Sequence, residues 1–259
     1  MNFKPLQLNN FKTSNFPALA VSITASSYLE ICKQIIQADK SRADVIEWRL
    51  DYFLAQRKSL SKTLTLSDFK KIRGLTEKPL ILTWRTTSQG GRMPFDLRLY
   101  SCFYQWAVFA NFAAVDVEFQ LFKKITKLIN SLDGKIAIIC SWHDFQKLPS
   151  NFLTLGEKMS QSQAQILKIA VTPHSKAEVI KLLIQTRELN SHIQQPLISI
   201  GMGDVGQISR IIGFKFGSSL TFSQLNMSSA PGQLPLQKLQ DELFKVIAIS
   251  PQVLLDRLL

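Results

Sequence analysis

Ile166-Leu167-Lys168-Ile169-Ala170-Val171 is a run of six residues, five of them apolar, with one lysine at its centre. A continuous apolar run of strand length signals burial on both faces, the situation of a parallel strand covered by helices. Runs of the same kind recur along the chain at Ala18–Thr24, Val45–Arg49, Leu80–Trp84, Ala114–Glu118, Lys135–Trp142 and Leu197–Gly201, with a weaker one at Leu220–Phe222. Between them lie Tyr28–Lys40, Leu66–Leu75, Arg98–Asn111, Phe119–Leu132, Leu153–Gln163, Ser175–Asn190 and Gln207–Phe216, whose apolar residues are spaced three and four apart as on amphipathic helices. Leu236–Ile249 reads as a closing helix. Eight strand–helix units in 259 residues predict an α/β protein, a single-domain (β/α)8 TIM barrel over residues 1–259. A doubly wound open sheet is the alternative. No low-complexity linker divides the chain.

Composition narrows the function classes. Hydrophobic residues make up 46% of the chain, which excludes disorder, and Cys32, Cys102 and Cys140 give no disulfide pattern. The apolar stretch Trp106–Val117 is about half the roughly 20 residues that span a bilayer, and Asn111 interrupts it. The first ten residues lack the apolar segment of a secretory signal, so a reduced, cytoplasmic location with no membrane partner is expected. The net charge is +12, but Lys70, Lys71, Lys123, Lys124, Lys176 and Lys181 are spaced to suit the wet faces of helices. Such scatter fits a solvated surface or attraction of a small anionic substrate. No zinc-ligand spacing, RNA-binding aromatic pattern or basic arm points to nucleic acid.

In a barrel the active site lies at the C-terminal ends of the strands, and polar residues crowd there: Glu47 and Arg49, Arg85, Asp116 and Glu118, His143 and Lys168. An ammonium inside an apolar strand is costly. Desolvation and neighbouring cations favour the neutral amine that forms a Schiff base with a carbonyl, whereas a partner such as Glu118 would make Lys168 a structural ion pair. His143, one strand earlier, suits proton transfer or a strand-end hydrogen bond. His174 and His192 fall in loop or helix contexts and are expected at the surface. Glu47 and Arg49, two apart on a strand, share a side, with Ile46 and Trp48 on the other. Arg49, Arg85 and Arg210 are forks suited to a carboxylate and hydroxyls, or to structural ion pairs. Asp116 and Glu118 read as buried partners of Lys or Arg. Gly201-Met-Gly203-Asp-Val-Gly206 fits a dinucleotide fingerprint, yet no acidic residue between Asp204 and Asp241 would hold a ribose. A phosphate site on that seventh loop stays open.

Glu47-Trp48-Arg49-Leu50-Asp51, Thr83-Trp84-Arg85-Thr86, Val115-Asp116-Val117-Glu118, Ser141-Trp142-His143-Asp144-Phe145, Leu167-Lys168-Ile169-Ala170, Met202-Gly203 with Ser209-Arg210, and Ser229-Ala230-Pro231-Gly232-Gln233 together resemble the blocks of the type I 3-dehydroquinate dehydratases. The resemblance covers nearly the whole chain. It implies a barrel, commonly a homodimer, that dehydrates 3-dehydroquinate to 3-dehydroshikimate without metal or cofactor. Lys168 would then condense with the C3 ketone, and His143 would move protons at C2 and the C1 hydroxyl. Substrate contacts would fall on Ser22, Glu47, Trp48, Arg49, Arg85, Arg210, Ser229 and Gln233, with Arg210 on the carboxylate and Met202 and Phe222 as apolar walls. Members of the family usually carry Glu before the paired glycines of the third loop, where this chain has Gln89-Gly90-Gly91. Gln89 is therefore the candidate for orienting His143. Ser228–Leu234 is expected to be a lid, mobile when empty and ordered over substrate. Two other readings remain: a lysine-dependent aldolase of phosphorylated keto acids, and a catalytically silent binding barrel.

Overall fold

A computed structural model describes residues 3–13, 16–56, 64–225 and 228–258. Eight parallel strands form one sheet, β1 (Ala18–Ile23), β2 (Val45–Arg49), β3 (Leu80–Thr83), β4 (Ala114–Glu118), β5 (Ala137–Asp144), β6 (Ile166–Val171), β7 (Leu197–Gly201) and β8 (Leu220–Ser223). They lie in chain order and β8 returns to pair with β1, Leu220 opposite Ala18. The seam between β7 and β8 is closed by a bridge at Leu197 and Ser218, where Ser219 N–H donates to the Leu197 carbonyl at 2.7 Å. The Ser218 hydroxyl accepts from Ser199 N–H there, so a side chain supplies what the ladder omits. The sheet is a nearly closed (β/α)8 barrel, not an open doubly wound one.

Alternation along the strands creates two apolar layers. Ala20, Val45, Ile81, Ala114, Ile139, Ile166, Ile198 and Leu220 fill the interior. Neighbouring residues face the helices, where Trp48 packs against Phe69 with ring centroids 5.1 Å apart and Trp84 against Tyr100 at 5.6 Å. An N-terminal hairpin, Gln7–Leu8 with Phe11–Lys12, was not apparent in the sequence; it presses the buried Leu6 and Leu8 into the interior layer.

The strand boundaries match expectation within a residue or two, with one informative difference. The fifth apolar run, Lys135–Trp142, stops short of the strand: β5 ends two residues later because Trp142, His143 and Asp144 pair with Ile169, Ala170 and Val171 of β6. His143 is thus held in the sheet itself. Phe119–Leu132 is divided into a 3-10 turn, Phe119–Leu121, and a helix, Thr126–Leu132. Short helices at Leu50–Ala55 and Pro251–Asp256 add to those expected, and the closing helix spans Leu236–Val246. Among the described residues no helix is long and apolar enough to cross a membrane.

Candidate active site

The interior hydrocarbon gives way to polar side chains toward the C-terminal ends of the strands, and there a cavity of about 330 Å³ opens. Its lining includes Ser22, Glu47, Arg49, Arg85, Gln89, His143, Lys168, Met202, Arg210, Phe222, Ser229 and Gln233. Every sequence-selected site residue lies on this wall except Trp48. The period-two alternation that turns Glu47 and Arg49 inward turns Trp48 outward, where it is fully buried beneath Phe69 and Phe112. Trp48 is therefore a core residue of the outer layer, and the expectation of a substrate contact is corrected.

Lys168 lines this cavity. Its Nζ is 3.1 Å from Asp116 Oδ2 and 3.2 Å from Glu47 Oε1, and 4.4 Å from the centroid of the Phe222 ring. Glu118, the structural partner considered from the sequence, is engaged elsewhere: it accepts from Thr86 N–H and Oγ1, both at 2.7 Å, and pairs with Arg85 at 3.3 Å. Two carboxylates rather than cations face the lysine. Each is held in turn, Glu47 by Ser22 at 2.7 Å and Thr83 at 2.9 Å, Asp116 by Ser141 at 2.5 Å and Arg85 at 2.7 Å. Burial acts to raise both carboxyl pKa values, but the adjacent cations outweigh it and hold Glu47 and Asp116 below their ordinary range.

His143 lies two residues beyond the Ser141 that pairs with Lys168, so both side chains project from adjacent strands to the same side. The amide oxygen of Gln89, itself buried in the 3-10 turn Thr87–Gln89, is 2.9 Å from His143 Nδ1. An amide oxygen only accepts, so Nδ1 carries the hydrogen and Nε2 is left as the basic atom. Burial and the charges of Arg85 and Lys168 push the His143 pKa well below its ordinary value, with Asp116 opposing in part. The ring is a neutral base at neutral pH.

The arginines divide into two kinds. Arg49 makes a bidentate pair with buried Asp51 at 2.8 and 2.9 Å, and Arg85 is fixed by Asp116, Glu118 and Ser141. These are structural ion pairs that also line the cavity. Arg210 differs. It is buried, its Nε has no partner, it donates to the Pro231 carbonyl at 2.9 Å, and among the described residues it has no carboxylate. Burial alone lowers its pKa to about 10. An unpaired guanidinium in a cavity is an anion site.

The loop after β8 brings Ser228–Pro231 and Gln233 against the cavity. Gln233 Oε1 accepts from Ser229 N–H at 2.8 Å, fixing the two residues to each other. Gly232 adopts φ +76°, and a Cβ there would overlap the Gly203 carbonyl, so the loop rests directly on the backbone after β7. The glycine motif at 201–206 is likewise closed by packing: a Cβ on Gly201 or Gly206 would meet the other's backbone, and Ser209 Oγ takes the Gly201 N–H at 2.7 Å. Tyr52, Arg92 and Phe145 also line the cavity and were not singled out in the sequence. Tyr52 belongs to the short helix that followed β2 unannounced, and Arg92 stands just after Gly90-Gly91.

Comparison with known proteins shows the family. The model of the type I 3-dehydroquinase family matches residues 19–249. The chain belongs to that family. It is thus a lyase of the type I dehydratases of the shikimate pathway. A curated 3-dehydroquinate dehydratase of Enterococcus faecalis is 34% identical over 256 residues, covering 93% of this chain and 97% of that protein. One from Clostridium kluyveri is 33% identical, covering 90% and 92%. Among solved structures, the 3-dehydroquinate dehydratase of Geobacillus kaustophilus superposes with a TM-score of 0.85 at 25% identity, covering 95% of this chain and 98% of that one. The type I enzyme of Clostridium difficile, solved with covalently modified comenic acid, gives 0.81 at 25% identity, covering 94% and 98%.

Proposed function

We propose that this family member dehydrates 3-dehydroquinate to 3-dehydroshikimate through a Schiff base on Lys168, with His143 as the general acid and base. The observation that carries the reading is the approach of Lys168 and His143 on adjacent strands in one cavity whose buried Arg210 has no carboxylate of its own. The substrate carboxylate supplies the missing partner of Arg210. Lys168 Nζ then attacks the C3 ketone, and loss of water gives an iminium. That nitrogen is positive, and the Glu47 and Asp116 carboxylates already facing it stabilise the charge. His143 Nε2 takes a proton from C2, acidified by the iminium, and the electron pair forms an enamine. The imidazolium returns the proton to the C1 hydroxyl, which departs as water, and hydrolysis of the conjugated imine frees product and lysine.

Ser22, Arg49, Ser229 and Gln233 are assigned to the ring hydroxyls and carboxylate, with Met202 and Phe222 against the ring faces. Residues Ser228–Leu234 act as the lid. The protein works as one barrel domain over residues 1–259, as a cytoplasmic homodimer, the latter checked by sedimentation equilibrium.

The test is incubation with 3-dehydroquinate under two regimes. Ultraviolet absorbance should rise as the enone forms, and borohydride should trap one reduced ligand on the peptide containing Lys168. Lys168→Ala should abolish trapping and lower kcat by at least three orders of magnitude, the order expected when a covalent nucleophile is removed. Trapping at another lysine overturns the mechanism; absence of enone overturns the substrate.

A further inference from the structure

Five cations line the cavity: Arg49, Arg85, Arg92, Lys168 and Arg210. Asp51 neutralises Arg49, Asp116 and Glu118 neutralise Arg85, and Glu47 with Asp116 neutralises Lys168. Among the described residues no carboxylate lies within ion-pair distance of the other two. Arg210 is committed to the substrate carboxylate in the proposal above, which leaves Arg92 without a task.

Arg92 is exposed, yet it is not placed as an ordinary surface arginine. Its backbone N–H donates to Asp51 Oδ2 at 3.0 Å, the carboxylate that also grips Arg49. Its guanidinium stands 5.3 Å from the centroid of the Tyr52 ring, to which Arg49 also approaches at 5.0 Å. Tyr52 and Asp51 are neighbours in the short helix after β2, so one element fixes both ends of Arg92 beside the cavity. A cation held against an aromatic ring face keeps its charge unspent on a carboxylate and so available to an anion.

We propose that Arg92 is a second anion-recognition residue of the site, a guanidinium at the rim that draws the carboxylate substrate toward Arg210 and takes no part in bond making. The proposal rests on the assignment of a small carboxylate substrate. Charge at an exposed rim acts on association, and salt screens it over a Debye length of about 10 Å at 0.1 M.

Arg92→Gln should therefore lower kcat/KM for 3-dehydroquinate about 3- to 10-fold at low ionic strength, with kcat within twofold, and the deficit should vanish near 0.5 M salt. Arg92→Lys should recover most of the loss, because a charge and not a particular fork is required. Lys158→Gln removes the same charge from a helix away from the cavity and should leave both kcat/KM and its salt dependence unchanged. Calorimetric titration with quinate, a ring carboxylate lacking the ketone, reads the same recognition without turnover and should weaken in parallel for Arg92→Gln. Equal salt slopes and equal quinate affinity for wild type and Arg92→Gln overturn the proposal, as does an equal effect of Lys158→Gln. Absence of enone from wild type, with quinate affinity still dependent on Arg92, overturns the substrate assignment alone.

Discussion

The amide oxygen of Gln89 lies 2.9 Å from Nδ1 of His143. It fixes the tautomer but brings no charge, while burial and the cations Arg85 and Lys168 already disfavour the imidazolium. His143 is thus held well below the ordinary range of a histidine, its neutral form persisting into mildly acidic solution and being lost only as pH falls through that lowered value.

Gln89→Glu adds a carboxylate where the imidazolium would gain most. The histidine pKa rises, so the acidic limb of the kcat/KM profile should move upward by roughly 0.5 to 1 pH unit, for an interaction of about 1 kcal/mol. At pH 5.5 the natural protein should retain the larger share of its maximal activity. Superimposable pH profiles would show that Gln89 does not act through His143.

Arg210 illustrates a conflict between stability and function. A buried guanidinium pushed down to about 10 is held in its charged form against a desolvation cost, since its pKa is higher in the unfolded chain. Replacing it by Met should stabilise the ligand-free protein by on the order of 1–3 kcal/mol at neutral pH while lowering kcat/KM at least a hundredfold. Thermal melts in parallel with kinetics decide this. A destabilised Arg210→Met would show that the guanidinium is a structural member of the fold.

Trp48→Phe separates packing from binding at a position where the family resemblance suggested a contact. Removing part of a fully buried indole should cost about 1–3 kcal/mol, moderated because the indole N–H has no partner to lose. Turnover should stay within twofold of wild type. A KM raised tenfold with an unchanged melting temperature would return Trp48 to the binding site.

Gly232→Ala addresses the loop over the cavity. Its φ of +76° and the Gly203 carbonyl beneath it leave no room for a methyl group, so the loop must lift and carry Ser229, Gln233 and the Pro231 carbonyl with it. We expect kcat/KM to fall at least tenfold, the melting temperature to drop by a few degrees at most, and proteolysis between Ser228 and Leu234 to quicken without ligand and slow with it. A loop cut at the same rate with and without substrate would remove its role as a lid.

The barrel was legible because its strands are largely buried on both faces and so read as mostly apolar runs, in which some of the polar interruptions mark the cavity while others, such as Ser199 beside Thr186, bond to neighbouring helices. Lys168 within Ile166–Val171, and Glu47 with Arg49 in Val45–Arg49, announce themselves by breaking such runs. The order of strands and helices, the end of the barrel that carries chemistry and the residue types gathered there all follow from that local pattern, and the family blocks fall on the same positions. What local pattern cannot supply is which charge meets which. The pairing of Lys168 with Glu47 and Asp116 rather than Glu118, the isolation of Arg210, the seating of Arg92 over Tyr52 and the withdrawal of Trp48 into the outer layer join residues as many as 121 positions apart. They depend on strand register and on the twist that brings eight strand ends around one cavity, quantities set by the closed sheet as a whole and encoded in no single segment.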